Sequence, residues 1–207
     1  MNNRVSIVAS LSFLALTATS GSAAIIGVTG ATTQIAPPVS CVPGALVSPL
    51  VQVWDEAQNR GVPNLLVDMT NNPGASGAPI PGVIGGVIDS HLIHFDDLGS
   101  GVIATGTVTF NNPIIGVDLF ATSLDATDGP FGAPGTTYPT FFPFRDLTFN
   151  TSFFSISGSS ISFTLDTLFP GALSVTQIRV FTRVPTPGGV ALAGIAGLAV
   201  LRRRRVA

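Results

Sequence analysis

The run Phe154-Ser155-Ile156-Ser157-Gly158-Ser159-Ser160-Ile161-Ser162-Phe163-Thr164-Leu165 restricts the fold more than any other stretch of the chain. Phe154 and Ile156 alternate with serines, Gly158-Ser159 interrupts the pattern, and Ile161, Phe163 and Leu165 then alternate with Ser162 and Thr164. A period of two sends apolar side chains to one face of a strand and hydroxyls to the other, whereas a helix would scatter both kinds around its axis. A two-residue break beginning with glycine is hairpin chemistry. The run therefore predicts an antiparallel pair, wet on one side, whose apolar side needs a second layer.

Similar short runs recur between Gly, Pro, Ser and Thr clusters, and strands are predicted at 46–53, 65–69, 91–95, 103–110, 114–120, 147–149, 153–157, 160–165 and 175–182. That many strands in one length of chain predict an all-β fold, a two-layer antiparallel β-sandwich of jelly-roll or immunoglobulin-like kind within 46–183. Helix signals are sparse: Trp54 to Arg60, closed by Gly61 and Pro63, reads as a turn or two. Segments 71–86 and 125–143 have no period and read as loops, and 31–44, within an N-terminal arm at 25–45, reads as a mobile connection.

The ends read differently from the body. Met1-Asn2-Asn3-Arg4 precedes an apolar stretch of roughly 14 residues, shorter than the ~20 of a stable membrane helix. The small-residue run Ser20-Gly21-Ser22-Ala23-Ala24 follows it, completing the order of a secretory signal peptide over residues 1–24. At the other end Val184-Pro185-Thr186-Pro187 stops any helix, Val190 to Leu201 is apolar on every side, and Arg202-Arg203-Arg204-Arg205 closes the chain. An all-round apolar segment calls for a bilayer, and an arginine cluster beside a transmembrane helix stays cytoplasmic, so the body is expected outside that membrane.

This tail resembles the PEP-CTERM sorting signal, which is a short Val-Pro-Glu-Pro-type motif, a weakly hydrophobic helix and terminal arginines. Val184, Pro185, Thr186 and Pro187 match the motif with Thr186 where glutamate is usual, and Arg202, Arg203, Arg204 and Arg205 match the cytoplasmic anchor. The resemblance covers 184–207. It implies export past signal peptidase, a membrane-tethered intermediate, cleavage by an exosortase, and a final place at the cell surface or in the extracellular matrix of a Gram-negative-type bacterium. Ser90-His91-Leu92-Ile93-His94-Phe95-Asp96, Leu124-Asp125-Ala126-Thr127-Asp128, Gly135-Thr136-Thr137-Tyr138 and Gln177-Ile178-Arg179-Val180 also resemble the sandwich-like body domains found upstream of such tails.

Without its ends the chain has four arginines, no lysine and eleven acids, a charge of 4 − 11 = −7 over residues 25–184. Such a surface repels phosphate and excludes nucleic acid as a partner. The lone Cys41 leaves no intramolecular disulfide for an oxidising compartment. Absence of lysine excludes Lys-dependent covalent chemistry and a phosphate-binding Gly-Lys loop, and no Gly-x-Ser-x-Gly elbow occurs.

His91 and His94 are three apart in a strand and should face opposite sides, which argues against a shared zinc. Asp96, Asp97, Asp125 and Asp128 are the candidate ligands for a Ca²⁺ ion, with turn formation as the plainer role. Tyr138, in a Pro/Gly-rich stretch, and Trp54 are the candidate carbohydrate contacts, with Trp54 the better placed for the core. The leading expectation is a non-catalytic structural or adhesive protein associated with exopolysaccharide or biofilm, or with neighbouring matrix proteins, and requiring no cofactor. A Ca²⁺-dependent carbohydrate-binding module and a secreted hydrolase using Asp carboxylates are the alternatives.

Overall fold

The computed structural model describes residues 24–72, 78–98, 101–147, 152–166 and 174–185. Ten strands and one helix follow in order: β1 (Ile25–Gly30), β2 (Thr32–Gln34), β3 (Val51–Asp55), β4 (Arg60–Val67), β5 (Gly82–Phe95), β6 (Ala104–Phe110), β7 (Ile114–Asp118), α1 (Ala121–Phe131), β8 (Phe153–Ser157), β9 (Ser160–Leu165) and β10 (Thr176–Arg183). They build an all-β sandwich. One sheet is four-stranded in the order β1-β6-β9-β8, and the other runs β2-β3-β5-β10-β7 with β4 also paired to β5. Pairing is antiparallel except between β2 and β3.

The hairpin read from the sequence is β8–β9, in register from Phe153↔Thr164 to Ser157↔Ser160. Gly158 takes φ +60° at its turn, and Ser159 does not follow it into the left-handed region, as a type II′ turn requires. Phe154, Ile161, Phe163 and Leu165 point inward beside Val108 and Phe110 of β6. Val53, Ile93, Phe95, Ile178 and Val180 of the facing sheet meet them, and all are fully or almost fully buried. At ~25 cal/mol per Å² of apolar surface removed from water, this inter-sheet layer is the main favourable term for folding.

Four segments depart from the sequence reading. The first part of the N-terminal arm is strand: β1 borders the first sheet, and β2 joins the second by pairing with β3. The chain changes sheets at Gly30, whose φ is +72° and where a Cβ would lie 2.4 Å from the Thr105 carbonyl oxygen, so only glycine fits. Trp54 to Arg60 is not a helix. Trp54 belongs to β3, and Glu56 and Ala57 stay against β5 through Glu56 N–H to Ser90 O at 2.8 Å and Ser90 N–H to Ala57 O at 2.9 Å.

Segment 82–86 begins β5 rather than ending a loop, since Gly82 to Ile88 pair with β4. Of the predicted loop at 125–143, residues 125–131 belong to α1. Of the predicted strand at 147–149, Leu147 lies outside any strand and the remainder falls outside the described residues. The predicted signal peptide and C-terminal transmembrane segment also fall outside them, apart from Ala24; among the described residues no helix is long and apolar enough to cross a membrane.

The outer face of the six-stranded sheet is covered by α1 and the chain around it. Leu124 of α1 packs with Trp54, Leu92 and Cys41, and Phe131 with Phe181, the two rings edge to face at 5.3 Å between centroids. The helix has no side-chain cap of its own. Carboxylates distant in sequence serve it instead: Asp68 accepts the N–H groups of Leu119 and Phe120 at 2.8 and 2.9 Å, and Asp146 accepts that of Ala121.

Candidate functional site

Strand β10 alternates Ile178 and Val180 toward the sandwich core with Gln177 and Arg179 toward α1. A guanidinium on a covered sheet face must have all its donors met, because stranding a charge in low dielectric costs several kcal/mol. Arg179 is completely buried and meets that demand. Its Nε and Nη2 grip Glu56 as a fork at 2.7 and 3.0 Å, Nη2 also reaches Asp128 at 3.0 Å, and Nη1 donates to Thr127 Oγ1 at 2.7 Å and the Leu124 carbonyl at 3.1 Å. All five N–H bonds are used.

Beside it Arg145, also fully buried, donates to Asp125 and Asp128 at 2.7 Å each, again to Asp128 at 3.1 Å, and to Gln177 Oε1 at 2.9 Å. Asp128 thus bridges two arginines. Burial alone would push its carboxyl up, but the hydrogen bonds from Arg145 and the charges of Arg179 and Arg145 hold it below the usual carboxylate range. Burial works against the charged form of Arg179, yet the neighbouring Glu56 and Asp128 outweigh it and keep the guanidinium charged.

Tyr138 completes the cluster. Its hydroxyl donates to Glu56 Oε1 at 2.6 Å and accepts the Ala133 N–H at 2.7 Å, and its ring lies under the Arg179 guanidinium, 5.3 Å from Cζ to centroid. Burial and the Glu56 charge both push its phenol pKa upward. Gly132 makes room for the ring, since a Cβ there would come within 2.6 Å of it. An open cleft of about 570 Å³ lies alongside, lined by Glu56, Arg60, Asp128, Pro130, Thr136 and Tyr138 among others.

The sequence-predicted residues divide as follows. Asp125 and Asp128, expected at a cation, sit on α1 and are taken up by arginine; Asp128 also accepts the Thr140 hydroxyl at 2.8 Å. Asp96 and Asp97 brace backbone instead: Asp96 accepts the N–H groups of Gly44 at 2.7 Å and Leu98 at 3.3 Å, and Asp97 that of Val102 at 3.0 Å. The four do not converge, and among the described residues no group of three or more His, Cys, Asp or Glu side chains is placed to hold a metal ion.

Trp54 has no exposed surface and is corrected from sugar contact to core, because its strand places it under α1. Tyr138 reaches the cleft wall with its ring, while its polar tip is turned inward and occupied. Of the sorting motif, Val184 is almost fully buried and its N–H donates to the Val87 carbonyl at 3.0 Å, Pro185 is exposed, and Thr186, Pro187 and Arg202 to Arg205 lie outside the described residues.

The histidines do separate. His91 faces the sandwich interior, bonded to Asp55 at 2.7 Å and Thr182 at 3.0 Å, with its ring against Phe110. His94 faces α1, with Nδ1 bonded to Gln177 at 3.0 Å, and burial together with the Arg145 charge lowers its pKa to about 3. Cys41 is buried near Gln177, and burial raises its thiol to about 12, so it is an inert packing residue rather than a nucleophile.

Arg145 and Arg179 are the residues that the sequence reading passed over. The signal for Arg179 was a charged residue between Ile178 and Val180, which on a covered sheet face demands a buried counter-charge. Compared with known proteins, no family model matches the chain, and no curated protein or solved structure matches it either.

Proposed function

We propose that the chain is an exported surface or extracellular-matrix protein of a Gram-negative-type bacterium, processed by signal peptidase and an exosortase. Its sandwich, of jelly-roll or immunoglobulin-like kind, serves a non-catalytic structural or adhesive role beside exopolysaccharide. The observation that carries the non-catalytic reading is the fate of the acids. Glu56 and Asp128, the carboxylates that line the cleft, are locked to two buried arginines, so their oxygens are already taken up by structural partners. The destination rests on the order of motif, apolar segment and arginines in the tail.

The junction between body and tail supports this reading. Arg183 is the last residue of β10, and Val184 still bonds to Val87, so Pro185 is the first residue of the motif beyond the body's backbone hydrogen bonds. Cutting C-terminal to Pro185 leaves β10 whole. Replacing both motif prolines (Pro185→Ala with Pro187→Ala) should leave full-length precursor in the inner-membrane fraction while wild-type protein leaves it, as read by an antibody to the body after fractionation. Release of the double variant at the wild-type rate would sink the sorting assignment.

A further inference from the structure

The strands β1, β6, β8 and β9 contain no ionisable side chain, although the body they belong to is acidic. Their outward positions instead form a hydroxyl lattice. Thr105 pairs with Thr164 at 3.2 Å, Thr107 with Ser162 at 2.8 Å, and Thr109 with Ser160 at 3.1 Å, each oxygen to oxygen across β6 and β9. Neighbouring strands are about 4.8 Å apart and successive outward residues roughly 6.8 Å, so the hydroxyls repeat on a regular grid. Nothing among the described elements covers it, in contrast to the opposite sheet under α1. At one end, Phe153 is 43% and Ile103 61% exposed.

The chemistry of this face selects its occupant. An anionic polymer would find no cation on these strands and a net negative body behind them. A second copy of the chain would need a central cluster of large apolar anchors, but the centre here is threonine and serine, and the exposed apolar residues Ile26, Ile103 and Phe153 stand at the rim. Each hydroxyl pair uses one proton internally and keeps one to donate, with lone pairs left to accept. That mixture of donors and acceptors matches sugar hydroxyls, and Phe153 offers an apolar rim for the C–H face of a pyranose.

We infer that the uncovered face of the β1-β6-β9-β8 sheet is a docking surface for a neutral polysaccharide chain. The inference rests on the matrix role proposed above, yet its test does not depend on export. The full chain, purified in a mild non-ionic detergent, is run in native gels containing hydroxyethylcellulose, dextran or alginate.

Retardation is expected with at least one neutral polymer and not with alginate. The pair Thr107→Glu and Ser162→Glu should reduce the apparent affinity at least tenfold, and the milder pair Thr107→Val and Ser162→Ala should weaken it at an unchanged melting temperature. Arg60→Ala, at the cleft on the other side of the molecule's second sheet, should bind as wild type. No retardation by either neutral polymer, equal retardation by alginate, indifference to the Glu pair, or loss in Arg60→Ala would each overturn the inference. So would sedimentation showing a dimer that the Glu pair dissociates, since the face would then belong to a second copy.

Discussion

Arg179→Ala should destabilise the protein by roughly 3 to 5 kcal/mol, the range for removing one partner from a buried ion pair. For a domain of this size that corresponds to a fall in Tm of about 10 °C. The cause is what the substitution leaves behind. Glu56 loses its fork of two N–H bonds, Asp128 loses one of its two arginines, and the Leu124 carbonyl and Thr127 hydroxyl lose a donor, all beneath a helix that keeps water out. A second variant separates stranded charge from lost packing: Arg179→Met with Glu56→Gln keeps most of the stem's volume and removes the orphaned carboxylate, and should recover part of the loss. Urea unfolding of the three proteins reads this directly. A change below about 1 kcal/mol for Arg179→Ala would mean the network does not hold α1 to the sheet.

The second large effect is on pH dependence. Asp118, at the end of β7 under α1, has its carboxyl raised to about 7 by burial and then by the charge of Asp68. The Thr127 hydroxyl, which lies 2.7 Å from the Ser123 carbonyl, donates to Asp118 Oδ2 at 3.0 Å and works against the shift without cancelling it. His94, buried neutral, is displaced the opposite way to about 3.

The signs follow from proton counts. Between about pH 4 and 7 the folded state holds the Asp118 proton and the unfolded state does not, so this group's contribution falls as pH rises, at about 1.4 kcal/mol per pH unit. Between about pH 3 and 6.5 the unfolded state holds the His94 proton and the folded state does not, so that contribution rises at the same rate. Where the windows overlap the two cancel, and the raised carboxyls of Asp96 and Asp146 add a little to the falling side. Wild-type stability should therefore be nearly flat from about pH 4 to 6.5.

Asp118→Asn, which keeps an acceptor for the Thr127 hydroxyl without the titration, should uncover the His94 slope, gaining a few kcal/mol from pH 4.5 to 6.5. His94→Asn should show the reverse. Unfolding midpoints at four pH values test both, and parallel profiles for wild type and Asp118→Asn would refute the assignment of the proton.

Legibility in the sequence followed solvent exposure. β8 and β9 match their predicted bounds because one face is wet and the other dry, which writes a period of two in plain chemistry. The first half of β5 was hidden by Gly82, Gly85 and Gly86, which suit a strand paired there with β4 alone but resemble a loop. α1 was hidden for a different reason. Its buried positions are Leu124, Thr127, Asp128 and Phe131, the spacing of a helical face, but two of the four are polar because the surface they meet is arginine. A search for apolar periodicity cannot find a helix that docks by ion pairs.

The same physics explains the candidate site. Asp125 and Asp128 were picked out as candidate cation ligands, and their arginine partners were not foreseen, because Arg145 lies in a segment with no period and Arg179 on a strand far along the chain. Sequence order gives no sign of which opposite charges meet. The hydroxyl face, by contrast, was visible from the alternation in 153–165 alone, and the structure added β6, whose Thr105, Thr107 and Thr109 continue it.

The most direct test of the account is the intact mass of the protein recovered from the surface of its native bacterium. The expected mass lacks the N-terminal signal and Arg202 to Arg205 and retains Val184, the residue after β10. A surface protein that still carries the arginine cluster would contradict the account.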